Sequence, residues 1–440
     1  MFFEILSNLD KIFWGYIAFV MIIVLGVTLT VQSGFVQIAR LPIILKTFWK
    51  FMFEKHAGKG IHPVKAFFAS TGGMIGIGNV VGVATAVQCG GPGALFWFWV
   101  AGILGGILKY SEIYLGLKYR VENPNGGFDG GPMYYLRRAF NSKLLPIIVA
   151  GLLCIYGIEI YQFSVITDSV STNWHCPRFL IIGLLLAAVL WAGVGGVSRI
   201  SEICSWIIPI FIVFYLFMGL TILGMEIKAI PQLFATIFKS AFTGHAAVGG
   251  FLGSTMLLAV QHGISRASYS ADICIGYDSI IQSESSVSNP QCQAGLAILG
   301  VFLDNLVCSI TILIVTVSGA WKMSGEGSTI VQHALSQYFP YMNLFLPFFY
   351  LVVGYTTLIA YFCVGTKCCR YLFPRHGKLI YAFLGIFMFV YFSYVSQSKA
   401  LLVMSVSGSM LLIINLLAIF KLRHEIQFIE PNVALNNNLV

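Results

Sequence analysis

Apolar residues run through this chain in long blocks parted by short polar segments, rather than alternating with polar ones. Eleven blocks are long enough to span a bilayer as helices: 12–32, 63–88, 93–117, 144–170, 178–197, 202–224, 246–263, 291–318, 343–366, 378–396 and 399–420. None shows the two-residue alternation of a membrane strand, so the expected fold class is an all-α integral membrane protein of about eleven transmembrane helices. Between the first two blocks, Gln32 to His62 interleaves Phe48, Trp49, Phe51 and Phe53 with Lys46, Lys50 and Lys55. That pattern predicts a helix lying on the cytoplasmic leaflet. Pro231 to Phe238 reads as a second short interfacial helix, on the other side.

One block departs from plain lipid solubility. Ser70-Thr71-Gly72-Gly73-Met74-Ile75-Gly76-Ile77-Gly78-Asn79-Val80-Val81-Gly82 holds five glycines and an asparagine. Each glycine costs about 1 kcal/mol relative to alanine inside a helix, so a helix that only sits in lipid would not collect them. Two readings are open. Small residues at i and i+4, as in Gly72-Gly76 and Gly78-Gly82, let helices pack closely. A glycine-interrupted span also marks the broken helix at the binding site of a secondary transporter.

The block at 246–263 opens with a second interruption, Gly249-Gly250-Phe251-Leu252-Gly253-Ser254. With the first helix set aside, ten remain, five beginning at each interrupted one. An odd number of spans turns the second half over, the arrangement of an inverted-repeat carrier. The expected organisation is therefore an extra helix and cytoplasmic segment at 1–62, a five-helix repeat at 63–224 and an extracellular interfacial segment at 225–245. A second, inverted five-helix repeat follows at 246–422, then a cytoplasmic tail at 423–440.

Composition agrees: 58% of residues are hydrophobic and 10% charged, against about 25% charged in soluble domains. The net charge of +9 would suit a polyanion, but its placement assigns it to topology. With the N-terminus outside, most of the 26 Lys and Arg fall on inside segments, leaving Lys11, Arg178, Lys228, Lys239, Lys322 and Lys399 outside. The positive-inside rule then gives an outside N-terminus and a cytoplasmic C-terminus, and no nucleic-acid partner is expected. Ten cysteines stand without a CxxC pair, so neither disulfides nor a metal site is expected. There is no HExxH, no Ser/His/Asp set and no phosphate-binding loop, so an enzyme is not expected.

Gly76-Ile77-Gly78-Asn79-Val80-Val81-Gly82-Val83-Ala84-Thr85-Ala86 with Gly90-Gly91-Pro92-Gly93-Ala94-Leu95-Phe96-Trp97, and Lys109-Tyr110-Ser111-Glu112 with Gly130-Gly131-Pro132-Met133-Tyr134-Tyr135, form a recognisable set of motifs. It resembles the signature of the alanine or glycine:cation symporter family. Gly249-Gly250-Phe251, Val301-Phe302-Leu303-Asp304 and Tyr355-Thr356-Thr357 extend it from about residue 62 to 420. It implies a leucine-transporter-type fold of five plus five inverted helices, in a prokaryotic inner membrane, carrying small neutral amino acids with Na⁺. Three places depart from the family pattern: Met74 and Ile77 where it has arginine and threonine, Arg266 to Cys274 where it reads Arg-Gly-x-Phe-Ser-Asn-Glu-Ala-Gly, and Asp304-Asn305 where it has Asp-Thr. These bear on ion identity and substrate choice.

A zwitterion held away from water needs donors for its carboxylate and acceptors for its ammonium. Backbone N–H groups freed at a broken helix supply the donors, with a favourable dipole; Gly76, Gly78 and Asn79 are the candidates. Carbonyls at Gly249, Gly250 and Phe251 and the side-chain oxygen of Gln162 or Asn79 are the expected acceptors. Phe251 and Tyr361 would wall the small side chain. For Na⁺, the hydroxyls of Thr356 and Thr357 and carbonyls near Gly72 and Ile75 are expected, although adjacent threonines also bond back within their own helix. Asp304 stands near mid-membrane, where an acid is a functional hypothesis by default; with Asn305 it is a candidate ion or proton site. Lys109 and Glu112, at i and i+3, are expected to pair with each other.

The leading expectation is a Na⁺-coupled, monomeric symporter of alanine or glycine, L or D, with no other cofactor. The alternatives are H⁺ coupling, motivated by Asp304, Glu159 and the Asp272 region, and a non-transporting amino-acid sensor on the same fold.

Overall fold

The computed structural model describes residues 1–53, 59–124, 126–243 and 256–430. The first apolar block forms α1 (Phe2–Ile12), a π-helical turn at Phe13–Ala18 and α2 (Phe19–Gln32). α3 (Val36–Ala39) and α4 (Leu41–Phe53) follow; α4 buries Ile44 and Phe51 and turns Trp49 and Phe53 outward, as a surface-lying helix would. The glycine-rich block gives α5 (Pro63–Met74), a 3-10 turn at Ile77–Asn79 and α6 (Gly82–Gly90). α7 (Ala94–Lys118) leads to a hairpin, β1 (Val121–Glu122) antiparallel to β2 (Phe128–Asp129), and to α8 (Pro132–Phe140). α9 (Leu144–Tyr156), α10 (Ile160–Trp174), α11 (Arg178–Val194), α12 (Gly196–Met225) and α13 (Ile230–Thr243) complete the first part. The second comprises α14 (Met256–Ser270), α15 (Tyr277–Gln282), α16 (Pro290–Val317), α17 (Gly327–Ser336), α18 (Met342–Leu372), α19 (Gly377–Phe392) and α20 (Gln397–Leu422).

Polarity is inverted relative to a soluble protein. Val20, Val24, Val27 and Val31 form an exposed stripe on α2, as do Trp206, Ile210, Val213 and Phe217 on α12 and Phe383 and Phe387 on α19. Lys109, Glu112, Glu159, Asp272, Asp278 and Asp304 are meanwhile buried. Apolar outside and ionisable inside is the distribution that a bilayer solvent selects. Among the described residues, seven helical stretches are long and apolar enough to cross a membrane, and the bent pair of α5 with α6 makes an eighth. α11 and α19 are apolar but shorter. Residues 244–255, just ahead of Met256, lie outside the described part, so the blocks read from sequence are not all represented by full-length spans.

Among the described residues, three helices are interrupted in the interior. After Met74 the backbone turns extended at Ile75 and Gly76, and the axes on either side meet at 54°. α14 stops at Ser270 and α15 starts at Tyr277; between them Asp272 (φ 47°) and Cys274 (φ 56°) adopt the left-handed conformation without being glycine. α9 and α10 are parted by Gly157-Ile158-Glu159, with Glu159 at φ 54°. Left-handed non-glycine residues carry strain of about 1–3 kcal/mol each and cluster at functional sites.

The glycines of the first interruption serve different ends. A Cβ on Gly72 would lie 2.5 Å from Cys204 Sγ and one on Gly73 2.0 Å from the Tyr277 hydroxyl, so both mark close packing. A Cβ on Gly76 would lie 2.3 Å from Thr357 Oγ1 and 2.8 Å from Gln162 Oε1, at the break itself. Both readings of the block are thus realised, at different positions.

Candidate functional site

Breaking a helix frees backbone donors that must find partners in an interior without water. At the first interruption two side-chain amides provide them. Asn79 Oδ1 accepts from the Gly76 N–H at 2.9 Å, and Gln162 Oε1, from α10, accepts from the Ile77 N–H at 3.1 Å. Asn79 Nδ2 in turn donates to Asp304 Oδ1 on α16 at 2.5 Å, and Ser270 Oγ, the last residue of α14, donates to the same oxygen at 2.8 Å. Asp304 therefore joins the first interruption to the helix that enters the second. Gly78 faces the Tyr269 ring, where a Cβ would make ordinary van der Waals contact at 3.6 Å.

Asn305 does not join this network. Its Nδ2 donates to Val301 O at 2.8 Å, and its carboxamide packs against Gly102 of α7, where a Cβ would fall 2.1 Å from Oδ1. Neighbouring helical residues point about 100° apart, so Asp304 and Asn305 serve different faces.

Beside the break lies a cluster of oxygens. Thr357 Oγ1 on α18 donates to Gly72 O at 3.2 Å and lies 3.5 Å from Val353 O, while Thr356 Oγ1 donates to Val353 O at 2.7 Å. Thr356 thus bonds back within its helix, whereas Thr357 reaches across to the interrupted one. Ile75 is extended (ψ 100°), which takes its carbonyl out of the helical ladder. The ligand set is neutral and all oxygen, which suits a hard cation. The Val353 carbonyl escaped the sequence reading, although any threonine pair in a helix bonds to the turn before it.

A further interruption is described in the second part of the chain. Gly249, Gly250 and Phe251 fall outside the described residues. The described break is Ala271 to Gly276, because α14 runs past residue 263 to Ser270. Ser265, Ser268 and Ser270 resemble a polar helix end in sequence, yet all three are buried against protein.

Lys109 corrects one expectation. Its ammonium pairs with Asp278 of α15, also donates to the Ala271 carbonyl, and lies 3.2 Å from Met74 Sδ. Glu112 is not its salt-bridge partner. The interior geometry decides this: Lys109 reaches across α7 to both interruptions, and Asp278 is further held by Ser70 of α5.

Tyr361 stacks on Tyr277, ring centres 4.1 Å apart, and meets Tyr156 edge-on at 5.6 Å. Tyr156 donates its hydroxyl to Asp272 Oδ1 at 3.2 Å. Tyr361 therefore walls the second interruption, with Asp272 and Tyr277 as neighbours that sequence reasoning did not assign to the site.

Buried ionisable groups gathered where apolar-coated helices lose their backbone pairing define a membrane transporter. The fold is that of solved transporters: over 81% of this chain it superposes on 89% of MhsT, a structure in complex with L-phenylalanine, with a TM-score of 0.56 at 15% identity. Over 77% of the chain it superposes on 74% of Mhp1, a nucleobase-cation-symport-1 family transporter, with a TM-score of 0.54 at 13% identity.

Residues 1–429 match the sodium:alanine symporter family, and the chain belongs to it. It is 33% identical over 394 residues to the sodium/alanine symporter AgcS of Methanococcus maripaludis, covering 86% of each chain. It is 31% identical over 437 residues to an uncharacterized transporter of Haemophilus influenzae (96% and 93% covered) and 29% identical over 438 residues to the probable sodium/glutamine symporter GlnT of Bacillus subtilis (95% and 88%). These relatives are transporters and not enzymes, and this chain is a multi-pass membrane protein of the same kind.

Proposed function

We propose that this protein is a Na⁺-coupled symporter that imports a small neutral amino acid, alanine or glycine, by alternating access. The observation that carries the reading is the occupation of the freed donors at the first break. The Asn79 and Gln162 amide oxygens stand where the two oxygens of a substrate carboxylate would, on the Gly76 and Ile77 N–H groups. Substrate carboxylate displaces these caps, and the released amides turn to it. The absence of space at Gly76 and the Tyr277–Tyr361 stack favour a small substrate. Na⁺ takes the oxygens of Gly72, Ile75, Val353, Thr356 and Thr357, so that its binding fixes the interrupted α5 against α18. The names of relatives, sodium/alanine and sodium/glutamine symporters, support an amino acid and Na⁺ as the transported pair.

In this reading the ten helices after the first form two inverted halves of five. The protein works as a monomer in a prokaryotic inner membrane, N-terminus outside and C-terminus cytoplasmic. Counterflow of labelled alanine and glycine in proteoliposomes, with and without a Na⁺ gradient, tests it. Accumulation dependent on Na⁺ is the expected result. Binding without accumulation would assign the chain to sensing instead.

A further inference from the structure

Two stretches of this chain carry no acidic residue, Gly130 to Ile158 and Gly327 to His424. At one end of the bundle they meet in a groove of about 570 Å³, lined by Arg137 of α8, Lys143, Pro146 and Ile147 of α9, and Tyr371 and Phe373 at the end of α18. Arg137 and Lys143 are exposed, and neither has an ion-pair partner among the described residues. Carboxylates on the neighbouring loops are already matched, Asp129 and Glu284 by Lys367 and Glu425 by Lys118. Lys143 is also locally out of place. It is the N-cap residue of α9, whose first turn holds no acidic residue, and its side chain makes no capping bond. A cation at that position opposes the helix dipole. The Leu144 N–H is met instead by Ser142 Oγ, at 3.2 Å.

We propose that this groove binds an anionic phospholipid, with its phosphate between Arg137 and Lys143 and an acyl chain laid along α9. The surface changes character just past Lys143. Leu144, Ile147, Ile148 and Ile155 form one exposed apolar face of α9, at the spacing of a helical stripe. The same change occurs beside α18: exposed Phe373 is followed by the exposed Arg375, His376 and Lys378, and then by exposed Leu379, Ile380 and Phe383 on α19. Cations therefore stand where lipid-facing residues begin, at the level of the headgroups. Basic pockets between helices at that level suit anionic headgroups. The Arg137 guanidinium can fork onto two phosphate oxygens, and Lys143 adds a point charge.

The composition of the groove selects the occupant. Two unmatched cations above apolar residues complement a phosphate attached to hydrocarbon. A free phosphate would leave Ile147 and Phe373 bare, and an acidic peptide would have to lie where the exposed face of α9 enters the bilayer. Bound there, the lipid ties α8 and α9 to α18, the helix that carries Thr356 and Thr357. This end is the cytoplasmic one in the orientation proposed above. The site itself requires only that the end meets headgroups, and it stands whatever substrate and ion the chain carries.

Titration of the delipidated full chain in a neutral detergent tests the site, with bound lipid counted by native mass spectrometry and the melting temperature followed in parallel. Phosphatidylglycerol is expected to bind and to raise the melting temperature, and phosphatidylcholine of the same chain length to bind about tenfold or more weakly. The double variant Arg137→Gln with Lys143→Gln should weaken phosphatidylglycerol about tenfold or more. A second double variant, Arg375→Gln with Lys378→Gln, changes cations at the same end that do not line the groove and should stay within about twofold. All four side chains are exposed, so both variants are expected to fold. Glycerol phosphate, the same anion without acyl chains, should not raise the melting temperature. Affinity unchanged in the first variant overturns the proposal, as does equal binding of phosphatidylcholine. Equal losses in the two variants would reduce the effect to a diffusely basic surface and overturn it too. Glycerol phosphate as effective as the lipid would make the groove a site for soluble anions and likewise overturn it.

Discussion

Asn79 and Asp304, 225 residues apart in sequence, are joined by a hydrogen bond of 2.5 Å at the centre of the bundle. The bond dictates which end of the Asn79 amide is which. With Nδ2 held by the carboxylate, Oδ1 is the end presented to the Gly76 N–H. Asp304 thus holds the Nδ2 end of Asn79, whose Oδ1 end meets the Gly76 N–H.

Exchanging Asp304 for Asn removes a charge-assisted acceptor, an interaction worth about 1.5–3 kcal/mol. Asp304→Asn is expected to weaken alanine binding about tenfold or more while the purified protein remains monodisperse. Equilibrium binding of labelled alanine to the detergent-solubilised protein checks it. Unchanged affinity in this variant would free Asn79 from the role assigned to its orientation.

Space at the first break makes a sharper comparison. Gly76→Ala would drive a Cβ to 2.3 Å from Thr357 Oγ1, and is expected to abolish uptake; Gly82→Ala meets nothing within 4 Å and is expected to leave uptake within about twofold. Parallel uptake assays, with surface expression measured for both, decide it.

Lys109 and Asp278 are both at most 1% exposed, and removing one partner of such a pair strands the other, at a cost of about 3–5 kcal/mol. Lys109→Met and Asp278→Asn are each expected to lower the melting temperature strongly. The double variant should recover much of the loss, since no unmatched charge remains. Thermal unfolding of the four proteins reads the coupling directly; additive losses would contradict it.

Much of the architecture was legible because a bilayer writes long apolar blocks into a chain. The first interruption was legible for a related reason: glycine inside such a block is costly, and Gly72, Gly73 and Gly76 each prove to stand where a Cβ has no room. The expected break at Gly249–Ser254 lies outside the described residues, and the described one at Ala271 to Gly276 was not legible because it uses Asp272 and Cys274 in conformations usually left to glycine, which composition does not flag. Helical proximity misled for Lys109, since spacing along α7 shows Glu112 as a neighbour and says nothing of Asp278 arriving from a distant segment. The threonine pair was legible as a pair, but only the packing of α18 on α5 separates Thr357, which crosses to Gly72, from Thr356, which does not.

The most direct test is an experimental structure of the protein with alanine and Na⁺ bound. The expected result is the alanine carboxylate on the Gly76 and Ile77 N–H groups, with the Asn79 and Gln162 amide oxygens displaced from them. Alanine bound elsewhere, with both caps still in place, would contradict the site.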